Sequence, residues 1–93
     1  MDPATARQLK EKLLDDIRKW QPPEERGFKD IVRNAIDLDK KLWHGLMKAF
    51  EVGAKEVRRW GSGAEVPPDF QRYVIVDTIR ELLESELGAV TEV

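Results

Sequence analysis

The chain has 93 residues, of which 41% are hydrophobic and 37% charged, and its formal net charge is −2. This length predicts one small domain, residues 1–93, with a single core and no room for a large buried active site. The absence of cysteine and the presence of one histidine exclude disulfides, thiolate zinc sites and His-rich metal sites. No apolar run approaches the roughly 18 residues of a membrane span. We therefore expect a cytoplasmic protein with no metal, no cofactor and no membrane partner.

Two helices are predicted in the first 40 residues. The first covers residues 3–20, where Leu9, Leu13, Ile17 and Trp20 recur on one face with Leu14 beside them. Pro22-Pro23 ends it, because proline lacks the amide that would continue a helix and disfavours helical geometry in the preceding residue. The second runs from about residue 24 to 36 and buries four apolar residues: Phe28, Ile31, Val32 and Ala35.

The third predicted helix follows Asp37 or Asp39, either of which can cap it. A continuous helix through residues 37–39 is an alternative, because no glycine or proline interrupts them. The third helix carries the apolar residues Leu42, Trp43, Leu46, Met47 and Phe50.

A fourth, short helix is predicted over residues 54–60, after a break at Gly53. Glycine suits either the turn itself or the cap of the fourth helix. Lys55, Arg58 and Arg59 share one face of this helix, whereas Val57 and Trp60 point the other way. A short helix with an apolar back and a basic front suits a DNA groove.

Residues 39–70 resemble the helix-turn-helix of the lambda-repressor-like (Cro/repressor) transcription regulators. The usual pattern of that family is Leu-Ala-x-x-Leu-Gly-Val-Ser-x-x-x-Val-Ser-x-Trp-x-x-Gly, and this chain matches it at Leu46-Met47, Phe50, Val52, Val57, Trp60 and Gly63. Three places differ from the usual residues of the family. Glu51 stands where the turn glycine is usual, and Gly53 stands where a capping Ser or Thr is usual. Trp43-His44 replaces the polar pair that commonly opens the first helix of the motif.

The resemblance implies an all-α fold of about five helices and a sequence-specific regulator that binds double-stranded DNA. The helix over residues 54–60 would enter the major groove, where Arg58, Arg59 and Lys55 would contact guanine edges or phosphates and Ala54 a thymine methyl. The preceding helix would lie across the backbone, with four residues as expected phosphate contacts: Lys40, Lys41, His44 and Lys48. Residues 40–73 hold seven basic and four acidic residues, whereas residues 74–93 hold one and five, so the positive charge coincides with this motif.

The last predicted helix starts at Pro67-Pro68-Asp69, after a flexible connector over residues 61–66, and ends at Gly88. Its apolar residues occupy more than one side, which predicts a homodimer through residues 70–87. No carboxylate pair has a histidine, a cysteine or a metal-spaced cluster beside it, so an enzyme is not expected. The alternative function is a helical protein-interaction adaptor that has lost DNA binding, which the acidic chain ends would fit.

Overall fold

The computed structural model describes residues 3–21 and 25–91, and all regular secondary structure in these ranges is helical. The all-α prediction with five helices is confirmed. The helices are α1 (Pro3–Lys19), α2 (Glu25–Leu38), α3 (Lys40–Phe50), α4 (Ala54–Ser62) and α5 (Asp69–Thr91). Pro22 and Pro23, which were predicted to end the first helix, and Glu24, the predicted start of the second, lie outside the described residues.

Asp39 separates α2 from α3, so the alternative of one continuous helix is wrong. Its backbone is extended, with φ −155° and ψ 127°, and its Oδ1 accepts a hydrogen bond of 2.9 Å from the amide of Lys41. This side-chain acceptor satisfies one of the amides that a helix start leaves without a partner. Asp39 is therefore the N-cap of α3.

Three helices extend further than the sequence predicts, and α2 does so by two residues, to Leu38. Gly61 and Ser62 belong to α4 rather than to a flexible connector, and the helix ends at Gly63, whose φ of 83° is left-handed. Similarly, α5 continues through Gly88 to Thr91. Glycine permits a left-handed turn but does not impose one, and inside a helix it costs only about 1 kcal/mol relative to alanine.

All five helices contribute to one core. Its fully or almost fully buried apolar residues are Leu13, Leu14, Ile17, Phe28, Ile31, Val32, Ala35, Leu42, Leu46, Val57, Trp60, Ile75, Val76, Ile79 and Leu83. Leu9 was predicted in the apolar stripe of the first helix but is 40% exposed, and Leu14 supplies the buried contact instead. Trp20 is half-buried and packs against Phe28, with 6.4 Å between ring centroids.

The most extensive helix contact joins α2 and α4, which are not neighbours in the chain. A Cβ atom added to the buried Gly61 would lie 3.3 Å from the Cα of Arg33, so the two backbones nearly touch at this point. Glycine therefore allows a closer approach of α4 to α2 than a residue with a side chain would.

Lys10 ties three helices together through charge. Its Nζ lies 3.1 Å from Oδ2 of Asp39 and 2.8 Å from Oε2 of Glu86 on α5. The hydrogen bond to Glu86 and that to Asp39 raise the pKa of Lys10 above its ordinary value, although burial opposes them. Burial acts to raise the pKa of Asp39, but the hydrogen bonds from the Lys41 amide and from Lys10 together lower it below its ordinary value.

A buried arginine fixes the start of α5. Arg72 is 4% exposed, its Nη1 donates a hydrogen bond of 2.7 Å to the carbonyl of Pro67, and its Nη2 pairs with the carboxylate of Asp69.

Within the described ranges, no helix is both long and apolar enough to cross a bilayer.

Candidate nucleic-acid interface

The turn between α3 and α4 is three residues long and begins with a left-handed residue. Glu51 has φ 53° and ψ 46°, and the amide of Val52 donates a hydrogen bond of 3.1 Å to the carbonyl of Met47. This bond spans five residues, as in the Schellman motif that ends many helices. The left-handed conformation costs an L-amino acid roughly 1–2 kcal/mol and is usually taken by glycine.

Gly53 is the N-cap of α4 rather than the left-handed residue of the turn. Its φ of −85° and ψ of 171° are extended, and the amides of Glu56 and Val57 donate to its carbonyl at 3.2 and 3.4 Å. No side chain accepts a hydrogen bond at this helix start, because glycine has none. Of the two places that the sequence left open for Gly53, the cap is the one it occupies.

The back of α4 is wedged into the core. Val57 is fully buried and Trp60 is 3% exposed, and the indole of Trp60 meets the ring of Phe50 edge-on, with 5.9 Å between centroids. These two contacts fix which face of α4 is turned to solvent.

The front of α4 and the outer face of α3 carry the residues predicted to bind DNA. Lys55, Arg58 and Arg59 are exposed, and Ala54 is half-buried at the start of α4. On α3, all four predicted phosphate contacts are exposed: Lys40, Lys41, His44 and Lys48. The two helices are linked by Arg58, whose guanidinium carbon lies 5.3 Å from the ring centroid of Trp43.

The basic side chains of α3 and α4 form no ion pair within the described ranges, although the charge of Lys41 acts on the nearby carboxylate of Asp39. The ion pairs of the described ranges use five other cations: Arg7, Lys10, Lys19, Arg72 and Arg80. None of the lysines and arginines of α3 and α4 takes part in one. On a protein of net charge −2, positive charge is therefore left unpaired on one pair of helices.

A groove of about 710 Å³ opens beside this surface, between α2, α3 and α4. Lys40 and Arg58 line it, and so do Lys29 and Arg33 of α2, which the sequence pattern does not indicate as site residues. Lys29 and Arg33 are one helical turn apart, and this spacing places them on one face of α2. No pattern in the sequence indicates that this face adjoins α4.

Trp43 forms part of the wall of the groove and is half-buried. Its Nε1–H is shielded from solvent and has no hydrogen-bond partner within the described ranges. A buried donor without a partner costs about 1–3 kcal/mol, so hydrogen bonding does not hold this ring in place. The guanidinium of Arg58, which lies over the Trp43 ring, is a charged group in contact with it.

Among the described residues, no three His, Asp or Glu side chains lie close enough together to hold a metal ion. No family model, curated protein or solved structure matches the chain. Its function must therefore be inferred from the chemistry of its own surface.

Proposed function

We propose that this protein is a sequence-specific regulator that binds double-stranded DNA through α3 and α4. The observation that carries the proposal is the set of unpaired cations on these two adjacent helices. DNA presents a dense row of phosphates, and a protein binds it by replacing counterions with lysine and arginine side chains. The exposed charged side chains of α4, which are Lys55, Arg58 and Arg59, are all positive, and Glu56 on the same helix is half-buried.

The division of roles follows from the two faces. In this proposal α4 enters the major groove, where Arg58, Arg59 and Lys55 contact guanine edges or phosphates. Ala54, at the first position of α4, contacts a thymine methyl. The residues of α3, namely Lys40, Lys41, His44 and Lys48, contact phosphates and orient the protein without reading sequence.

The turn supports the resemblance to the lambda-repressor-like regulators. Glu51 is left-handed at the place where that family usually has glycine, which is the residue best suited to this conformation. Val57 and Trp60 are buried at the apolar places of the pattern. These observations support the resemblance, although Glu51 and Gly53 differ from the usual residues.

A dimer through α5 belongs to the same proposal, but on a smaller surface than residues 70–87. Leu83, which a dimer contact over that range would include, is fully buried in the core of its own chain, as are Ile75 and Ile79. Among the α5 side chains that the structure describes, the large apolar ones that remain exposed are Phe70 (74%), Tyr73 (56%) and Val74 (45%). The proposal requires that a twofold contact through these three residues hold two copies of α4 roughly 34 Å apart, which is the spacing of DNA half-sites.

The test of DNA binding is selection from random duplexes, followed by gel shifts with the selected sequence. Arg59→Ala is expected to lose about 1–3 kcal/mol of specific binding if it pairs with a base. Lys48→Ala is expected to weaken binding to all sequences alike and to reduce the salt dependence by about one ion. Arg18→Ala is the matched control, because Arg18 is exposed on α1, away from α3 and α4.

Failure to enrich any sequence would contradict the proposal. It would favour the adaptor, for which the exposed Phe70, Tyr73 and Val74 offer a contact surface. The dimer is tested separately by light scattering of the wild type and of Phe70→Glu, a surface change that leaves the core intact. A wild type that is monomeric at the concentration where it binds DNA would remove the dimer from the proposal.

A further inference from the structure

The groove between α2, α3 and α4 has the dimensions of a small-molecule site. Its volume of about 710 Å³ falls within the roughly 300–1,000 Å³ of typical ligand pockets. Apolar side chains of Ile36, Leu38 and Trp43 line part of it, so that a ligand with a hydrocarbon body could bury surface there.

The charge of the groove is positive. Four cations line it, Lys29, Arg33, Lys40 and Arg58, against two carboxylates. One of these carboxylates, Asp39, is already paired with Lys10 and bonded to the Lys41 amide. None of the four cations forms an ion pair within the described part of the chain, and together they come from three different helices.

A flat surface lies among these charges. The guanidinium carbon of Arg58 lies over the Trp43 ring, 5.3 Å from its centroid. Aromatic ligands pack well on an indole ring, and arginine pairs in bidentate fashion with carboxylates and phosphates.

We infer that this groove binds a small organic anion with a flat aromatic body and a carboxylate or phosphate group. The aromatic body packs against Trp43 and Ile36, and the anionic group pairs with Arg33 and Arg58. Arg58 and Lys40 also belong to the proposed DNA surface, so a bound anion would withdraw them from DNA and lower its affinity. This last step rests on the proposed function, whereas the binding of the anion does not.

The experiment is a titration of the ¹⁵N-labelled full chain, followed by two-dimensional NMR, with three probes of one shape. The probes are 2-naphthoate, 2-naphthyl phosphate and the neutral 2-naphthamide. We expect at least one anion to give saturable shifts around the groove, including the Trp43 indole N–H, with a Kd no weaker than about 1 mM. The amide should bind at least about tenfold more weakly, and the stronger of the two anions identifies the anionic group.

Two variants locate the site. Arg33→Gln should weaken binding of the anion at least about tenfold, and Lys29→Gln serves as a second variant if the first perturbs the fold. Arg18→Gln removes the same charge from α1, outside the groove, and should change the Kd by less than about twofold. Equal binding of the amide, shifts centred on Phe70 and Tyr73, no saturable shifts, or equal effects of Arg33→Gln and Arg18→Gln would each overturn the inference.

A gel shift with and without the anion then tests the coupling. Lower DNA affinity in the presence of the anion supports it, and unchanged affinity overturns the coupling while the groove stands. If the protein selects no DNA, the proposed function fails, but the NMR titration still decides whether the groove binds anions.

Discussion

Replacing Trp60 by alanine removes the side chain that holds α4 against the core. Trp60 is 3% exposed, and truncation of a large buried aromatic side chain costs about 3–5 kcal/mol through lost burial and the cavity left behind. The edge-on contact with Phe50 accounts for about 0.5–1.5 kcal/mol of such a loss. For a domain of this size, 1 kcal/mol corresponds to about 5 °C in Tm, so we expect a decrease of about 15–25 °C.

The assay is thermal and urea unfolding followed by circular dichroism, which avoids the change in tryptophan fluorescence that the substitution itself causes. Phe50→Leu and the double variant complete a mutant cycle, whose coupling energy should equal the aromatic contribution. A Tm within about 5 °C of the wild type would contradict the buried position of Trp60, because a large side chain packed behind α4 should contribute more than that.

Two further changes test local features. Glu51→Gly should stabilise the fold by about 0.5–1 kcal/mol in urea unfolding, because relief of the left-handed strain exceeds the entropy that glycine loses on folding; a less stable variant would contradict the strain. Asp39→Asn keeps a capping side chain but loses the ion pair with Lys10, at a cost of about 1 kcal/mol at pH 7. Because folding lowers the pKa of Asp39, this contribution is present above the unfolded value of 3.8 and is lost as the pH falls through the lower folded value. Because folding raises the pKa of Lys10, the contribution of Lys10 is lost instead as the pH rises beyond 10.5, so Tm values of both proteins at pH 3, 7 and 11 should differ most at pH 7. An equal difference at pH 3 and 7 would contradict the ion pair.

The helices were predictable because their apolar spacing reflects burial directly. Leu42 and Leu46, one turn apart, are both buried, and so are Val57 and Trp60. The end of α4 was not predictable, because glycine at position 61 is explained by the approach of Arg33 from a distant part of the chain. The sequence alone does not distinguish a glycine that allows a close tertiary contact from a glycine that ends a helix.

The surplus of apolar residues on α5 illustrates a second limit. It predicted an external partner along the whole helix, but α5 contacts α1, α2 and α3 of its own chain, and these contacts account for much of the surplus. The number of apolar faces on a helix indicates how many neighbours it has, not whether they belong to the same chain. Phe70, Tyr73 and Val74 are the described apolar residues of α5 that intramolecular packing leaves exposed.

Some residues of the candidate site could be predicted from the sequence and others could not. Exposure of Lys55, Arg58 and Arg59 follows from helical spacing within one short segment, which the sequence contains in full. The contribution of Lys29 and Arg33 to the groove depends on which helix α4 packs against, and that is a property of the assembled core.

At Gly61 and Arg33 the backbone of α4 lies close against the backbone of α2. The anchoring residues of α4, Val57, Trp60 and Gly61, share no position with its outward residues, Lys55, Arg58 and Arg59. The three outward residues can therefore be substituted without changing the three residues that pack α4 against the core. A library randomised at the three outward positions would vary the chemistry presented to a partner on an unchanged scaffold.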